Sequence, residues 1–270
     1  MLDLSGVPAT RWRVAARVAA LHLGVSALIA TAIAVIVAKV WFPYPFGELA
    51  GGLRLLWMIV TVDVVCGPAL MLLLYSPSKT RRALAVDITL IVGLQAAALG
   101  YGAHTLAQAR PLALVFEVDR FRVVSYADIP AASLPAAPAW VNPWSLGSPR
   151  VLAIRRAASL DEKISSISAS LAGVEPSVQP DWWQNYALAH PDVQARARPV
   201  EDLRKAYPQK SSLINQAAGE SAQHPERGEV EDFNLLLWLP LVGRRSLDWI
   251  VFLDPQTYRI RGYMQLDGFV

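Results

Sequence analysis

Among the residues able to do chemistry, an enzyme's usual sets do not assemble. The four histidines, His22, His104, His190 and His224, lie far apart, and none has a second His or Cys at metal-ligand spacing. One cysteine, Cys66, excludes an intramolecular disulfide and a Cys-based zinc cluster, and in an apolar helix it behaves as a small hydrophobe. There is no nucleophile elbow, phosphate-binding loop or dinucleotide fingerprint. Asp161-Glu162 reads as early-helix charge before it reads as an acid/base pair. His190-Pro191 and His224-Pro225 read as turns. Trp182, Trp183 and Tyr186 fit either a helix anchored in its own core or a patch that meets a partner. No catalytic residue, metal or cofactor is expected.

The informative polar residues sit in apolar surroundings. Asp63, Asp87, Gln95 and His22 interrupt segments long enough to cross a bilayer, where an ionisable group is costly and functional by default. Counting inward at about 1.5 Å per residue puts Asp63 and Gln95 each ~18 Å deep, and Asp87 and His22 each ~6 Å deep. The expectation is two layers, Asp63 with Gln95 and Asp87 with His22. Two roles stay open for them: hydrogen bonds that hold the bundle together, or a polar site for another protein's transmembrane helix. Gly93-x-x-x-Ala97 and Ala96-x-x-x-Gly100 offer a close backbone approach on the third segment.

The elements that must position these groups follow from composition. Apolar residues make up 54% of the 270-residue chain and charged ones 17%, well below an ordinary soluble protein. Mean hydropathy is +0.32. Residues 18–40, 53–75 and 83–107 each have the roughly 20 apolar residues that a membrane helix needs. The first is too long for a signal-peptide core and lacks a convincing cleavage site, so it is expected to be retained. Trp12 and Trp41 bracket it, and Phe42, Tyr44 and Phe46 follow, as rings do at the headgroup level.

Short-loop charge gives an orientation. The arm 1–17 carries Arg11, Arg13 and Arg17, and the second loop carries Lys79, Arg81 and Arg82. The first loop, Trp41–Gly52, has neither Lys nor Arg. The N-terminus is therefore expected in the cytoplasm, with residues 108–270 outside it. Residues 1–107 hold 8 basic and 4 acidic residues against 17 and 18 beyond, so the positive surplus lies beside the lipid bilayer, and a nucleic-acid partner is excluded.

Residues 108–270 read as a small α+β domain with antiparallel strands. Leu112–Glu117 and Phe121–Ser125 form a hairpin, and the proline-rich stretch 129–149 an extended surface loop. Helices are expected at Ser159–Leu171, at Asp181–Ala189, and from near Val200 with a break at Pro208. Strands close the chain at Leu235–Leu239, Leu247–Leu253 and Tyr258–Leu266. Leu247, Trp249, Val251 and Leu253 would share one face of their strand, and Tyr258, Ile260, Met264 and Leu266 one face of theirs.

The run Thr61–Ile129 resembles the bacterial type IV pilin accessory proteins, the TfpX/TfpZ family. Asp63, Gly67 and Pro68 of a D-x-x-x-G-P motif carry the likeness, with the basic loop, Asp87, the A-R-P-x-x-x-V-F-E-V-D-R-F junction, the WFPYPFGELAGG loop and the end Ile250–Asp267. Ala131–Ala222 matches no motif. The resemblance implies a multi-pass inner-membrane protein with a periplasmic C-terminal domain. It also implies a chaperone-like role for a major pilin or pilin-like protein, alongside the pilus assembly machinery, with no catalysis. Two rivals remain: an envelope-biogenesis enzyme, which a convergent polar cleft would favour, and a periplasmic sensor, which the small cytoplasmic side disfavours.

Overall fold

A computed structural model describes residues 9–74 and 79–270. Part of the expected arm 1–17 and residues 75–78 of the second loop lie outside the described residues. Two compact units result.

The first unit holds three helices long and apolar enough to span a membrane, and the chain is a membrane protein. Helix α1 covers Ala9–Ile36 and runs on through a π-helical turn, Val37–Trp41. It starts nine residues earlier than the hydropathy window suggested, because Arg11, Arg13 and Arg17 are good helix formers though not apolar. The single turn α2 (Phe46–Leu49) leads to α3 (Gly52–Leu74) and then α4 (Arg81–Ala109). Ala19, Met71 and Ile91 form a small core among the three long helices.

The second unit is residues 108–270 together with Tyr44–Gly51. Its strands are β1 (Pro111–Glu117), β2 (Arg120–Ser125), β3 (Arg150–Ile154), β4 (Trp183–Asn185), β5 (Arg198–Pro199), β6 (Leu237–Val242), β7 (Trp249–Leu253) and β8 (Ile260–Gln265). Its helices are α5 (Leu160–Leu171), α6 (His190–Arg196), α7 (Val200–Ala206) and α8 (Ser211–Ala222). One sheet runs β4-β3-β1-β2-β6-β7-β8, with β5 paired to β6. The expected antiparallel hairpins are present, and two parallel pairings, β1 with β3 and β2 with β6, join them. Pro240 sits within β6 between the residues that pair with β5 and those that pair with β2, where its missing N–H is tolerated.

Both faces of this sheet are covered. Leu114, Phe116, Phe121, Trp249, Val251 and Leu253 meet α6 on one face. Trp238, Ile250 and Phe252 meet Val200, Leu203, Ile214 and Ala218 of α7 and α8 on the other. That explains the unbroken apolar run in β7. The shared face expected for Tyr258, Ile260, Met264 and Leu266 is corrected by a bulge: Phe252 pairs with Gly262 but Leu253 with Ile260. The extra residue, Arg261, flips the alternation, so Ile260 packs on the first face while Met264 and Leu266 pack on the second.

The loop before the second span differs most from expectation. Phe46 is not an exposed ring. It and Leu49 are buried in the first-face core, Leu49 completely. Tyr44 meets Trp249 edge-on at 5.9 Å, and the Arg245 N–H donates to the Leu49 carbonyl. Gly243 gives that carbonyl room, since a Cβ there would strike it. A short run of rings and leucine stabilises more by filling a close-packed core than by resting at an interface.

Candidate functional site

His22, Gln95 and Asp63 of the spanning helices come together in one cluster, and Asp87 lies apart from it. His22 Nε2 lies 2.8 Å from Gln95 Oε1, and Gln95 Nε2 donates to the main-chain carbonyl of Asp63 at 3.0 Å. His22 therefore carries its proton on Nε2 when it donates to the amide oxygen. The expected pairing of His22 with Asp87 is corrected. Because α1 begins at Ala9, His22 lies well inside the helix and level with Gln95, the midpoint of α4. Asp87 sits two turns from Gln95, roughly 12 Å along α4, and pairs with Lys79 at 2.5 Å.

Gly67 makes this arrangement possible. A Cβ on it would lie 2.7 Å from His22 Nε2 and 2.6 Å from Gln95 Cδ, so only glycine lets the two side chains cross the α3 backbone there. Pro68 follows, with no N–H to close the turn onto Val64. The D-x-x-x-G-P motif thus has a physical content: an acceptor carbonyl, a bare backbone one turn on, and a break in the ladder.

The Asp63 carboxylate itself has no hydrogen-bond or ion-pair partner among the described residues. It lines a groove of about 410 Å³ enclosed by α1, α3 and α4, whose other walls include Ile33, Trp41, Leu56, Leu99 and Gly100. A smaller groove of about 250 Å³ on the other side of Ile59 also reaches Asp63. Gly93 and Gly100 have open space where a Cβ would stand, and Ala97 is exposed, so among the described residues no helix packs on Gly93, Ala97 and Gly100. The close approach falls instead at Gly102, against Ile59. Ala98-x-x-x-Gly102 has the same small-residue spacing, so the signal was present two residues along from Ala96-x-x-x-Gly100.

The aromatic trio does not form a single patch, and Asp181–Ala189 is not a helix. Two 3₁₀ turns, Pro180–Trp182 and Tyr186–Ala189, flank β4, because Pro180 and the pairing of β4 with β3 override the helical pattern. Trp182 is buried, with the Arg155 guanidinium 4.7 Å from its ring centre. Trp183 stacks on Trp140 and donates its indole N–H to Ser177 at 2.8 Å. The Tyr186 hydroxyl donates to the Tyr258 carbonyl at 2.9 Å, and burial raises its pKa. His190 opens α6 between the rings of Tyr186 and Tyr258, and burial lowers its pKa.

A cleft of about 720 Å³ with a mixed lining, from Phe116 and Trp182 to Arg155 and Lys163, lies beside α5. Its carboxylates are engaged: Asp192 pairs with Arg156 at 2.6 Å, and Glu117 accepts from the Ser177 N–H. No histidine lines it, and the hydroxyl of Ser170 donates to the Ser166 carbonyl of its own helix. Asp161 and Glu162 occupy the first turn of α5, where Ser159 caps the Glu162 N–H. Hydrogen bonds from Arg155 hold the Glu162 carboxyl down at about 2. No group of three or more His, Cys, Asp or Glu among the described residues could hold a metal ion.

Two buried clusters escaped the sequence reading. Arg110 is 2% exposed and donates to the Ser145 and Gly147 carbonyls, which ties the proline-rich loop to the end of α4; burial lowers its pKa. Asp254 is fully buried, accepts the Gln256, Thr257 and Val230 N–H groups, and meets Arg261, which also pairs with Glu229. The alternating Arg259 and Arg261 in an otherwise apolar strand were the available signal.

Three apolar spanning helices, a polar cluster at their centre and a mixed-sheet domain define a polytopic membrane protein with a C-terminal α+β domain. It belongs to the fimbrial assembly protein family. The model of Fimbrial assembly protein FimB matches residues 10–51, which are α1 and the loop that enters the domain core. Fimbrial assembly proteins of Dichelobacter nodosus from serogroups I and E1 are each 29% identical over 259 residues, 96% of this chain and 98% of theirs. That of serogroups C1 and C2 is 35% identical over 127 residues, 47% of this chain and 97% of its own. No solved structure matches the chain.

Proposed function

We propose that this protein is a non-enzymatic accessory of type IV fimbria assembly in the bacterial inner membrane. In this reading it holds a pilin or pilin-like subunit for the assembly machinery. Its N-terminus is cytoplasmic and its C-terminal domain periplasmic. The subunit's membrane helix fills the apolar groove among α1, α3 and α4 and meets Asp63.

One observation carries the reading: the Asp63 carboxylate lines that groove with no partner among the described residues. A central Asp costs roughly 2.5–3.5 kcal/mol on insertion scales. Bundle cohesion does not call for that cost, because Gln95 reaches the main-chain carbonyl and not the carboxylate. The names of the Dichelobacter nodosus relatives supply the process.

Asp63→Asn tests it, with protein abundance read by blot and surface fimbriae by shearing. The expected outcome is normal abundance with fimbriae reduced or lost. Normal abundance with normal fimbriae would overturn the reading.

A further inference from the structure

Helix α5 is amphipathic in the wrong sense for its own domain. Leu160, Ile164, Ile167 and Leu171 recur at spacings of four, three and four, which places them on one helical stripe. In a water-facing α+β unit that stripe ordinarily faces the core. Here all four point away, with exposures of 72%, 54%, 53% and 86%. The half-buried side is Glu162, Ser166, Ala169 and Ser170, held down by the Arg155–Glu162 pair at 2.6 Å. No α5 residue is buried. Scattered exposed leucines are ordinary, but a continuous apolar stripe marks an interaction surface.

The cleft of about 720 Å³ adjoins this stripe: Ile167 belongs to both, and Lys163, Ser166 and Ser170 form the α5 side of the cleft. Among its cations Arg155 and Arg156 already have carboxylates, at Glu162 and Asp192. Lys163 and Arg196 are exposed and form no ion pair among the described residues. Apolar ridge and unpaired cations thus lie side by side.

We propose that this surface docks an amphipathic helix of a partner protein, its apolar seam on the α5 stripe and its acidic flank over Lys163 and Arg196. The stripe has the alternating three-and-four spacing of a helix–helix seam. Anionic lipid fits less well, since membrane-surface helices are rich in Lys and Arg and α5 carries one basic residue, Lys163.

The test uses the full-length protein in nanodiscs and two designed helical peptides with the same leucine seam, one flanked by glutamates and one by lysines. Fluorescence anisotropy should show the glutamate peptide binding at least about tenfold more tightly than the lysine peptide. Ile164→Ser with Ile167→Ser should abolish binding and leave thermal unfolding unchanged, because both side chains are solvent-exposed. Lys163→Glu with Arg196→Glu should reverse the peptide preference. Equal affinity for both peptides, or an unreversed preference in the charge variant, overturns the proposal. So does stripe-dependent co-sedimentation with phosphatidylglycerol vesicles, or a stripe-dependent dimer by mass photometry.

Discussion

The ring of Phe46 meets the ring of Tyr263 edge-on, 5.8 Å between centres, although more than two hundred residues separate them. A loop between two spanning helices is thereby part of a hydrophobic core otherwise built from the last 163 residues. Phe46→Ala should destabilise that unit by about 3–5 kcal/mol, the usual cost of emptying a buried phenylalanine site. Denaturant unfolding of the detergent-solubilised protein, followed by tryptophan fluorescence, measures it. A loss below about 1 kcal/mol would mean that the loop rests on the core without completing it.

The crossing at Gly67 predicts a coupling. Gly67→Ala puts a methyl group where Gln95 and His22 pass, and overpacking of this kind costs about 1–3 kcal/mol. Gln95→Ala removes the obstructed amide. In a double-mutant cycle read by thermal stability in detergent, the double variant should therefore be less damaged than the two single effects added together. Strict additivity would show that the amide does not lie over Gly67.

Acid stability follows from Glu229 and His190. Hydrogen bonds from Arg259 hold Glu229 at about 2, so its folded pKa lies below the unfolded glutamate value near 4.3. Its contribution is complete above that unfolded value and is lost as pH falls from there toward 2. His190 is also lowered, by burial, so the unfolded chain takes up its proton first and stability begins to decline as pH drops below about 6.5. Unfolding midpoints across this range should fall in two steps, and Glu229→Gln should flatten the lower one. An unchanged acid limb in that variant would remove Glu229 from the account.

Much of this was legible in the sequence because span length and composition fix a membrane helix with little help from context. Depth was less legible. The arginines at the start of α1 hid nine helical residues, and that displacement moved His22 from the Asp87 level to that of Gln95. Phe46 looked interfacial because its burial depends on strands two hundred residues away, which no local pattern reveals. β3 was missed at Arg150–Ile154, five residues that directly follow the proline-rich stretch, since its identity comes from pairing with β1. The bulge at Arg261 reversed the facing of Met264 and Leu266, because one unpaired residue outweighs any alternation rule. At the site, Asp63 and Gln95 stood out by polarity, but which Asp63 oxygen takes the bond depended on how closely the amide passes Gly67.

Topology offers a fourth measurement. Tyr44–Gly51 shares a body with residues 108–270, so the first loop and the C-terminus lie on one side. In the orientation proposed above, which rests on the Lys and Arg of the other short segments, that side is the periplasm. An alkaline phosphatase fusion after Val270 should be active, and a cytoplasm-specific reporter at the same point silent. The opposite pair of results would invert the assignment.

The shared core also sets an order of events during synthesis. Leu49 leaves the ribosome two hundred residues before Trp249, and its partners on β7 do not exist until translation is nearly over. For that interval the loop must wait, solvent-exposed, between two helices already threaded into the bilayer. The ends of the protein then meet in a late, long-range closure, the slowest kind of contact for a chain to find. A chain truncated before β7 would be left with its first hairpin inserted and its apolar loop open, a form that a quality-control protease can distinguish from the finished protein.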